Sequence, residues 1–282
     1  MLKLIVNADD FGLSERINEG ISIAYTEGIL TSTSIMACGK AFDHAVDLYR
    51  TLPTLDTGVH LTLVEEQPVA SLKKIPSLLL ASGRFRKGAA SFVKAYMLGQ
   101  IDLNEVALEF EAQICKIKAA GVPISHIDTH QHLHMLPGIC KVAMGIAEKH
   151  NIPAMRIPYE KPKLYMLKKP GMLPRFMQLL FLNGFCSKAL PIKLVTPDHF
   201  VGFFHSGRLT SRNLKKILLG LPSNGACELI CHPGAEDSKS LYFHWKYRWE
   251  EELKALTHPE IKRLIAKKDI KLSSYGDLAD SP

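Results

Sequence analysis

Short apolar runs alternate with helical patterns along almost all of this 282-residue chain. Each apolar run is followed at once by polar residues, as where residues 4–6 lead into Asn7-Ala8-Asp9-Asp10. Strands that alternate with helices favour a parallel sheet, because each helix returns the chain to the same edge. Seven or eight such strands predict an α/β fold that is (β/α)-barrel-like and related to the TIM barrel. A doubly wound open sheet is the alternative.

The spacing of apolar residues predicts where these elements lie. A helix is expected at about 103–120, where Asp102 and Glu105 have the spacing of a capping box. A single long helix is expected at about 246–267. The other predicted helices cover residues 15–27, 42–51, 138–150 and 211–219. The predicted strands cover residues 4–6, 31–37, 57–63, 124–128, 154–157, 198–204, 228–231 and 270–273.

Two stretches interrupt the alternation, at about 64–101 and 160–194, and we interpret them as insertions into one domain that spans residues 1–282. The net charge of +7 is concentrated there, since seven basic and no acidic residues lie between Lys161 and Lys193. Both stretches are also apolar. Basic and apolar together indicate a membrane surface or an acidic partner, with a solvated, partly buried insertion as the alternative. Nucleic acid is not an expected partner, because no recognised binding motif accompanies the charge.

The cysteines and the beginning of the chain indicate an intracellular protein. The six cysteines are scattered without a C-x-x-C pair, so we expect reduced thiols and no disulfide framework. Carboxylates follow Met1 too closely for a signal peptide. No apolar run reaches the roughly 18 residues of a transmembrane helix. We therefore expect a cytoplasmic protein, peripheral to the inner membrane if it meets a membrane at all.

The stretch from His126 to His134 contains four histidines and Asp128 within nine residues. Packing hardly explains such density, and imidazole is the commonest side-chain metal ligand, so we predict a metal site here. Asp128, His130, His132 and His134 follow at spacing two. If the strand continues, these four side chains face one side; if the chain turns at Thr129, they spread around the rim of the barrel.

Other strand ends supply the partners that such a site needs. The Asp9-Asp10 pair follows one strand, His60 lies within another, and His232 precedes Pro-Gly at the end of a third. In a barrel these side chains would meet His130 on one rim. Each also has an ordinary interpretation: a helix-entry pair for the carboxylates, a core residue for His60 and a turn residue for His232.

Taken together, these residue types fit metal-assisted hydrolysis of an amide or ester. One aspartate and two histidines would hold the ion, the second aspartate would take a proton from water, and a separate histidine would protonate the leaving nitrogen. The sequence contains neither the G-x-S-x-G of a serine hydrolase nor a P-loop nor a dinucleotide fingerprint.

Four segments contain these polar strand ends: Asn7-Ala8-Asp9-Asp10-Phe11-Gly12, Gly58-Val59-His60-Leu61, Asp128-Thr129-His130-Gln131-His132-Leu133-His134 and Cys231-His232-Pro233-Gly234. In order and in rough spacing over nearly the whole chain, they resemble the signature segments of the YdjC-type carbohydrate deacetylases. Four separate motifs are far more specific than any one of them. The resemblance implies a (β/α)-barrel-like fold and metal-dependent removal of acetyl groups from N-acetylated amino sugars.

By motif position, the resemblance implies that Asp10, His60 and His130 bind one divalent metal ion. Zinc and magnesium are expected first, with manganese, nickel and cobalt as alternatives. It implies Asp9 as the base that activates water, and His232 as the acid or as a stabiliser of the tetrahedral intermediate. The neighbouring side chains are expected to contact the substrate or to support the ligands: Asp128, His132 and His134.

Within that family the chain most resembles the hopanoid-biosynthesis branch, through residues 128–137 and Thr196-Pro197-Asp198-His199-Phe200. This likeness implies N-acetylglucosamine linked to a hopanoid lipid as the substrate, and the basic, apolar insertions agree with a membrane-held substrate. One alternative is a chitooligosaccharide deacetylase that acts on soluble sugars. Another is a non-catalytic homologue that binds metal or sugar, which the presence of both Asp9 and Asp10 argues against.

Overall fold

Eight parallel strands form one curved sheet in a computed structural model of the chain, in which residues 1–167, 170–186, 194–235 and 242–280 are described. Along the sheet the order is β5-β4-β3-β2-β1-β7-β6, and β8 pairs with the first half of β1. The predicted (β/α)-barrel-like fold is therefore confirmed. The strands are β1 (Leu2–Phe11), β2 (Ser32–Ile35), β3 (Asp56–Leu61), β4 (His126–Thr129), β5 (Ala154–Met155), β6 (His199–Val201), β7 (Gly225–Cys231) and β8 (Lys271–Ser273).

The ring of hydrogen-bonded strands is open between β5 and β6 in the described part of the chain. One bridge, Ala154 with Val195, lies in this gap, and the Met155 amide donates to the Val195 carbonyl over 2.9 Å. The second predicted insertion runs between these two strands, so an extended segment and helices occupy the place of a full strand pair. A closed barrel, the simplest form of the sequence prediction, is not formed here.

Helices cover the outside of the sheet. Five of the predicted helices are confirmed to within one residue at each end. The helices are α1 (Glu15–Thr26), α2 (Phe42–Thr51), α3 (Ala89–Met97), α4 (Leu103–Ala119), α5 (Pro137–Lys149), α6 (Leu164–Leu167), α7 (Leu173–Cys186), α8 (Ser211–Leu219), α9 (Trp249–Thr257), α10 (Pro259–Lys267) and α11 (Tyr275–Ala279).

The single helix predicted at 246–267 is wrong, because the chain forms two helices there, α9 and α10. His258 separates them with an extended backbone (φ −67°, ψ 127°). Proline disfavours helical backbone at the residue before it, and Pro259 follows directly. The ring of His258 then accepts a hydrogen bond from the Glu260 amide over 3.2 Å, which caps α10.

The capping box predicted at the start of α4 is only half formed. The Asp102 carboxylate accepts from the Asn104 amide over 2.8 Å, as a helix cap should. Glu105 does not turn back to Asp102. Its carboxylate accepts instead from the amide of Ser77 over 2.7 Å, and so fastens the first insertion to α4. The tertiary contact replaces the local one.

β1 is the centre of the molecule. Nearly all of its residues are buried, and it pairs with β2, β7 and β8. A strand covered on both faces needs a near-continuous apolar sequence, which residues 2–6 supply except at Lys3. The polar residues Asn7, Asp9 and Asp10 come only at its carboxyl end, where they are buried among other polar groups.

Gly58 in β3 has no room for a side chain, which allows a test of stability. A Cβ there would overlap the imidazole of His126, which is itself stacked on Tyr275 with ring centroids 3.8 Å apart. Both rings are fully buried. We expect Gly58→Ala to lower the free energy of unfolding by about 1–3 kcal/mol, because neither ring has room to move. Urea denaturation measures the change.

The matched control is Gly145→Ala in α5, where an added Cβ meets nothing within 4 Å. This variant should be neutral or slightly stabilising, since alanine favours helix over glycine. Equal free energies of unfolding for the two variants would show that the His126 ring does not limit the space at residue 58.

No helix in the described ranges is both long enough and apolar enough to cross a lipid bilayer. All six cysteines lie in those ranges as free thiols, four of them buried.

Candidate metal centre and active site

Three of the side chains predicted from the motifs meet at the carboxyl ends of β1, β3 and β4. Asp10 Oδ1 lies 3.2 Å from His130 Nδ1 and 3.4 Å from His60 Nε2. The two imidazole nitrogens are 3.3 Å apart. All three side chains are at least nine-tenths buried. The parallel sheet brings them together because its strands end at one edge.

A bulge at the end of β1 explains how two adjacent aspartates both reach the site. Between the pairs Ala8–Thr33 and Phe11–Ile35, β1 contains one more residue than β2. Asp10 takes up the extra length with a left-handed backbone (φ 68°), a conformation that costs energy for any residue except glycine. The bulge breaks the alternation of side chains, so Asp10 faces the two histidines while Asp9 faces a separate partner.

The geometry of the three atoms fits a metal ion. Ligands about 2.0–2.1 Å from a tetrahedral zinc ion lie roughly 3.3 Å from one another. The three distances between Asp10, His60 and His130 cluster around that value. Asp10 Oδ1 is buried and has no hydrogen-bond partner with good geometry within the described structure. A buried carboxylate oxygen without a partner is costly, and a cation would satisfy it.

The surrounding charges favour positive charge at this centre. Burial lowers the pKa of His130, but Asp10 and Glu65 outweigh burial and raise that pKa to about 10. Burial likewise lowers the pKa of His60, and Asp128 is the strongest of the carboxylates that raise it overall. Burial raises the pKa of Asp10, yet the two histidines bring it down to about 2. The centre therefore attracts either protons or a divalent cation that replaces them.

Carboxylates behind the two histidines fix the orientation of their rings. His60 Nδ1 lies 2.6 Å from Asp128 Oδ1, and His130 Nε2 lies 3.4 Å from Glu65 Oε2. Each ring thereby turns its other nitrogen toward Asp10. Such a carboxylate–histidine pair is the usual support of a metal-binding histidine. Nothing in the sequence patterns marked Glu65, which lies at the beginning of the first insertion.

Arg156 is the most important site residue that the sequence did not reveal. It is fully buried just after β5, and its guanidinium donates to both oxygens of Asp9 over 2.7 and 2.8 Å. The same group contacts Asp128 Oδ2 at 2.8 Å and Glu228 Oε1 at 2.7 Å. One cation therefore holds three carboxylates in place. The only signal was a charged residue within each of two predicted apolar strands, at 156 and 228.

Asp9 lies beside the metal centre and lines the cavity above it. Asn7 Nδ2 donates to its Oδ1 over 3.0 Å, in addition to the two bonds from Arg156. These bonds fix the carboxylate in one orientation. The side chain has the position and the rigidity that a proton acceptor needs at this site.

His232 lines the same cavity at the end of β7. Its Nδ1 lies 3.4 Å from Ser206 Oγ and 4.0 Å from Glu252 Oε2. Glu252, fully buried in α9, also accepts a hydrogen bond from the backbone amide of His232 over 2.6 Å. Burial raises the pKa of Glu252, and His232 is the neighbour that most opposes this. Nδ1 thus faces protein groups, which leaves Nε2 of the ring for a substrate.

The dense histidine segment divides among different roles, because the chain leaves the strand after Thr129. Gln131 and His132 have left-handed backbones with φ 55°. Only His130 joins the metal centre, while His132 reaches the cavity wall, where burial lowers its pKa well below the usual value. His126 lies among protein groups beside Gly58 and Tyr275.

Asp128 and His134, expected to contact substrate, lie beneath the site. His134 is fully buried, with Nδ1 at 2.7 Å from Thr129 Oγ1 and Nε2 at 2.9 Å from the Arg156 carbonyl. Asp128 is equally buried, and its oxygens contact His60, Ser34 and Arg156. Their polar atoms are thus occupied by protein, and the structure brings neither to the cavity. Support of the ligands, the other expectation, fits this placement.

A cavity of about 560 Å³ opens above the metal centre. Asp9, His60, His130 and His232 form its polar floor, and His132 adds to one side. The walls are mainly apolar and come from both predicted insertions, through α3 and α7. The wall residues include Val93, Leu136, Phe181, Leu182, Phe185 and Trp245. This is the combination of a few convergent polar groups and apolar walls that is typical of a small-molecule site.

Comparison with known proteins connects this site to one family. The family model described as YdjC-like protein matches residues 3–267. A carbohydrate deacetylase of Brevibacillus brevis is 32% identical over 98% of this chain and 100% of its own length. A chitooligosaccharide deacetylase of Yersinia enterocolitica is 31% identical over 97% of this chain and 98% of its own.

A solved structure agrees with the fold over nearly the whole chain. The crystal structure of an Enterococcus faecalis V583 protein, named as a candidate cellobiose-phosphate cleavage protein, superimposes with a TM-score of 0.73. It is 28% identical and covers 97% of each chain. The match of the family model over nearly the whole chain, with relatives above 30% identity at full length, establishes that the chain belongs to the YdjC-like protein family.

Proposed function

We propose that this protein is a metal-dependent carbohydrate deacetylase that hydrolyses the N-acetyl group of an amino sugar. The convergence of Asp10, His60 and His130 within 3.2–3.4 Å of one another, beside Asp9 and His232, carries the proposal. The names of the Brevibacillus and Yersinia relatives support the same reaction class. The products are acetate and a free amine.

The protein's own groups divide the work of proton transfer. Asp10, His60 and His130 would hold a divalent cation, which when bound would supply Lewis-acid chemistry for the acetyl carbonyl and for water. Asp9 takes the proton of the attacking water through an oxygen that Arg156 and Asn7 hold in position. The positive charge of Arg156, 2.7 Å from Asp9 Oδ1, also compensates the burial of that carboxylate inside the protein.

His232, which lines the same cavity as Asp9, is the proton donor in this proposal. Its Nε2 donates a proton to the nitrogen as the C–N bond breaks, while Glu252 Oε2 faces Nδ1 at 4.0 Å and helps to orient the ring. Ser206 Oγ, 3.4 Å from Nδ1, limits rotation of the ring. We assign Asp128 and His134 to positioning His60 and the loop after β4, and His132 to the cavity wall.

For the substrate we propose N-acetylglucosamine linked to a lipid, with a hopanoid as the lipid. Phe181, Leu182 and Phe185 of α7 and Val93 of α3 give the cavity an apolar wall that a soluble sugar does not need. Such a substrate resides in a membrane, so the proposal includes peripheral association of a cytoplasmic enzyme with the inner membrane. A soluble chitooligosaccharide is the second candidate, which the name of the Yersinia relative favours.

Acetate release with and without a chelator tests the reaction. Purified protein should release acetate from N-acetylglucosaminyl hopanoid, and a chelator should reduce the rate at least a hundredfold because the polarising charge is removed. Added zinc or magnesium should restore it. Elemental analysis should find about one divalent ion per chain in the wild type and far less in His130→Ala.

N,N′-diacetylchitobiose serves as the matched soluble substrate. We expect at least a tenfold lower kcat/KM for it than for the lipid-linked sugar, because it leaves the apolar wall uncovered. Release from chitobiose alone would contradict the lipid part only. Release from neither substrate by protein loaded with metal would contradict the deacetylase itself.

A further inference from the structure

Helix α7 is apolar on a buried face and on an exposed face. One face, with Phe176 and Leu179, packs against a hydrophobic cluster beside β6 and β7. The other face is exposed, although it is equally apolar, and we call it the α7 stripe. Its residues are Leu173, Met177, Leu180 and Phe181, which are 41–57% exposed. They follow one another at spacings of four, three and one, so they lie along one side of the helix.

The preceding helix extends this apolar surface. Leu164 and Leu167 in α6 are 80% and 58% exposed, and Met166 between them packs into the same cluster as Phe176. Isolated exposed leucines are ordinary, but six large apolar side chains on two adjoining helices form a patch. Monomeric proteins keep such patches for a partner or for a membrane.

Basic residues near the α7 stripe favour an anionic lipid surface as its partner. Lys161 and Lys163 directly precede α6 and Arg175 lies in α7, and the sequence from 161 to 193 contains seven basic residues and no acid. Arg175 forms no ion pair with any described carboxylate; it donates to the Ser206 carbonyl and lies over the ring of Phe203. A segment rich in basic residues and free of acidic ones, next to exposed leucine, methionine and phenylalanine, is complementary to anionic lipid headgroups over acyl chains.

The α7 stripe is continuous with the catalytic cavity. Phe181 belongs to both, since it is 57% exposed and also lines the cavity. Gln178, Leu182 and Phe185 continue the wall inward from the same helix. A molecule that lies along the stripe can therefore pass Phe181 and enter the cavity beside the apolar side chains of Leu182 and Phe185.

We propose that α6 and α7 dock on an anionic lipid bilayer, with the α7 stripe inserted at the level of the headgroups, and that the cavity takes its substrate from that surface. The docking stands on the exposed patch and its charge. The delivery of a lipid-linked amino sugar rests on the proposed function. Each part has its own measurement.

Cosedimentation with vesicles tests the docking without any turnover. The full chain should bind vesicles of phosphatidylglycerol and phosphatidylcholine at low salt, and less in 0.5 M NaCl because exposed charges are screened. The variant Leu173→Glu/Met177→Glu, which changes two stripe residues outside the cavity, should bind at least tenfold more weakly. A matched control, Leu108→Glu/Leu219→Glu, changes two exposed leucines on α4 and α8 and should bind as the wild type does.

The same variants separate docking from catalysis. Leu173→Glu/Met177→Glu should release acetate from a detergent-dispersed short-chain substrate at the wild-type rate, and at least tenfold more slowly from substrate in vesicles. Equal vesicle binding by both double variants would overturn the proposal, as would wild-type protein that ignores anionic vesicles at low salt. A wild-type dimer that the stripe variant abolishes, with no vesicle binding, would assign the patch to a second copy instead. Vesicle binding by a chain that deacetylates nothing would keep the docking and reject the proposed function.

Discussion

Replacing Asp9 by asparagine is expected to reduce turnover by about 10²–10⁴-fold while leaving close to one divalent ion per chain. The amide has nearly the same shape as the carboxylate, but it accepts no proton from water. Asp9 takes no part in the group formed by Asp10, His60 and His130, so the metal should stay. Acetate release and elemental analysis on the same preparation measure the two quantities.

The neighbouring aspartate provides the control. Asp10→Asn should lose the metal together with the activity, because Asp10 is the only carboxylate among the three converging side chains. The two variants therefore differ in metal content although both are inactive. Wild-type turnover in Asp9→Asn would remove Asp9 from its role, and loss of metal in Asp9→Asn would make Asp9 a ligand rather than a base.

The convergence of the candidate metal ligands could be predicted from the sequence because a parallel sheet places its strand ends at one edge. Asp10, His60 and His130 are separated by up to 120 residues, yet each follows or ends an apolar strand. Their meeting requires only that the strands be parallel and neighbouring, and β1, β3 and β4 lie in the same part of the sheet. The family motifs then distinguished His130 from the histidines around it.

The supporting groups could not be predicted, because they depend on distances that no local pattern encodes. Arg156 meets Asp9, which is 147 residues away, and Glu228, which is 72 residues away. Within its own segment, Arg156 is only one polar residue near the end of a predicted strand. In the sequence, Glu252 is one of three consecutive glutamates at the start of a helix. Only the fold shows that Glu252 is the buried one.

Local backbone geometry explains where the remaining predictions differ from the structure. The spacing of Asp128 and His134 left open whether they share one face or the chain turns at Thr129. The left-handed residues Gln131 and His132 turn the chain, as in the second alternative. The division of the last helix at His258-Pro259 was visible in the sequence, since proline restricts the residue before it. The apolar pattern runs across that point and concealed the break.

Replacing Arg156 by methionine is expected to have the largest effect on stability of any single change. Methionine fills much of the same volume but leaves Asp9, Asp128 and Glu228 without their shared cation in the protein interior. Removing one partner of a buried ion pair costs about 3–5 kcal/mol, and here three carboxylates depend on one arginine. Urea denaturation should show a loss of at least that size, and turnover should fall because Asp9 is no longer held.

A second substitution tests whether charge is the cause. Glu228→Gln removes one negative charge and keeps an oxygen that can accept from the Tyr275 hydroxyl, now 2.6 Å from Glu228 Oε2. In the wild type this change should destabilise, because Arg156 loses a partner. In Arg156→Met it should restore part of the lost free energy of unfolding, since one uncompensated charge disappears. Simple additivity of the two substitutions would indicate lost packing rather than charge.

The pH dependence of the free energy of unfolding provides an independent test of the electrostatic role of Arg156. Burial already raises the pKa of Glu228, and Arg156 is the largest influence that lowers it. Without Arg156 the pKa rises further above its value of about 4.3 in an unfolded chain, so the folded form binds a proton that the unfolded form has released. That contribution to stability is present at low pH and is lost as pH rises. The deficit of Arg156→Met relative to wild type should therefore be smaller at pH 5.5 than at pH 8, whereas a deficit independent of pH would contradict the electrostatic role of Arg156.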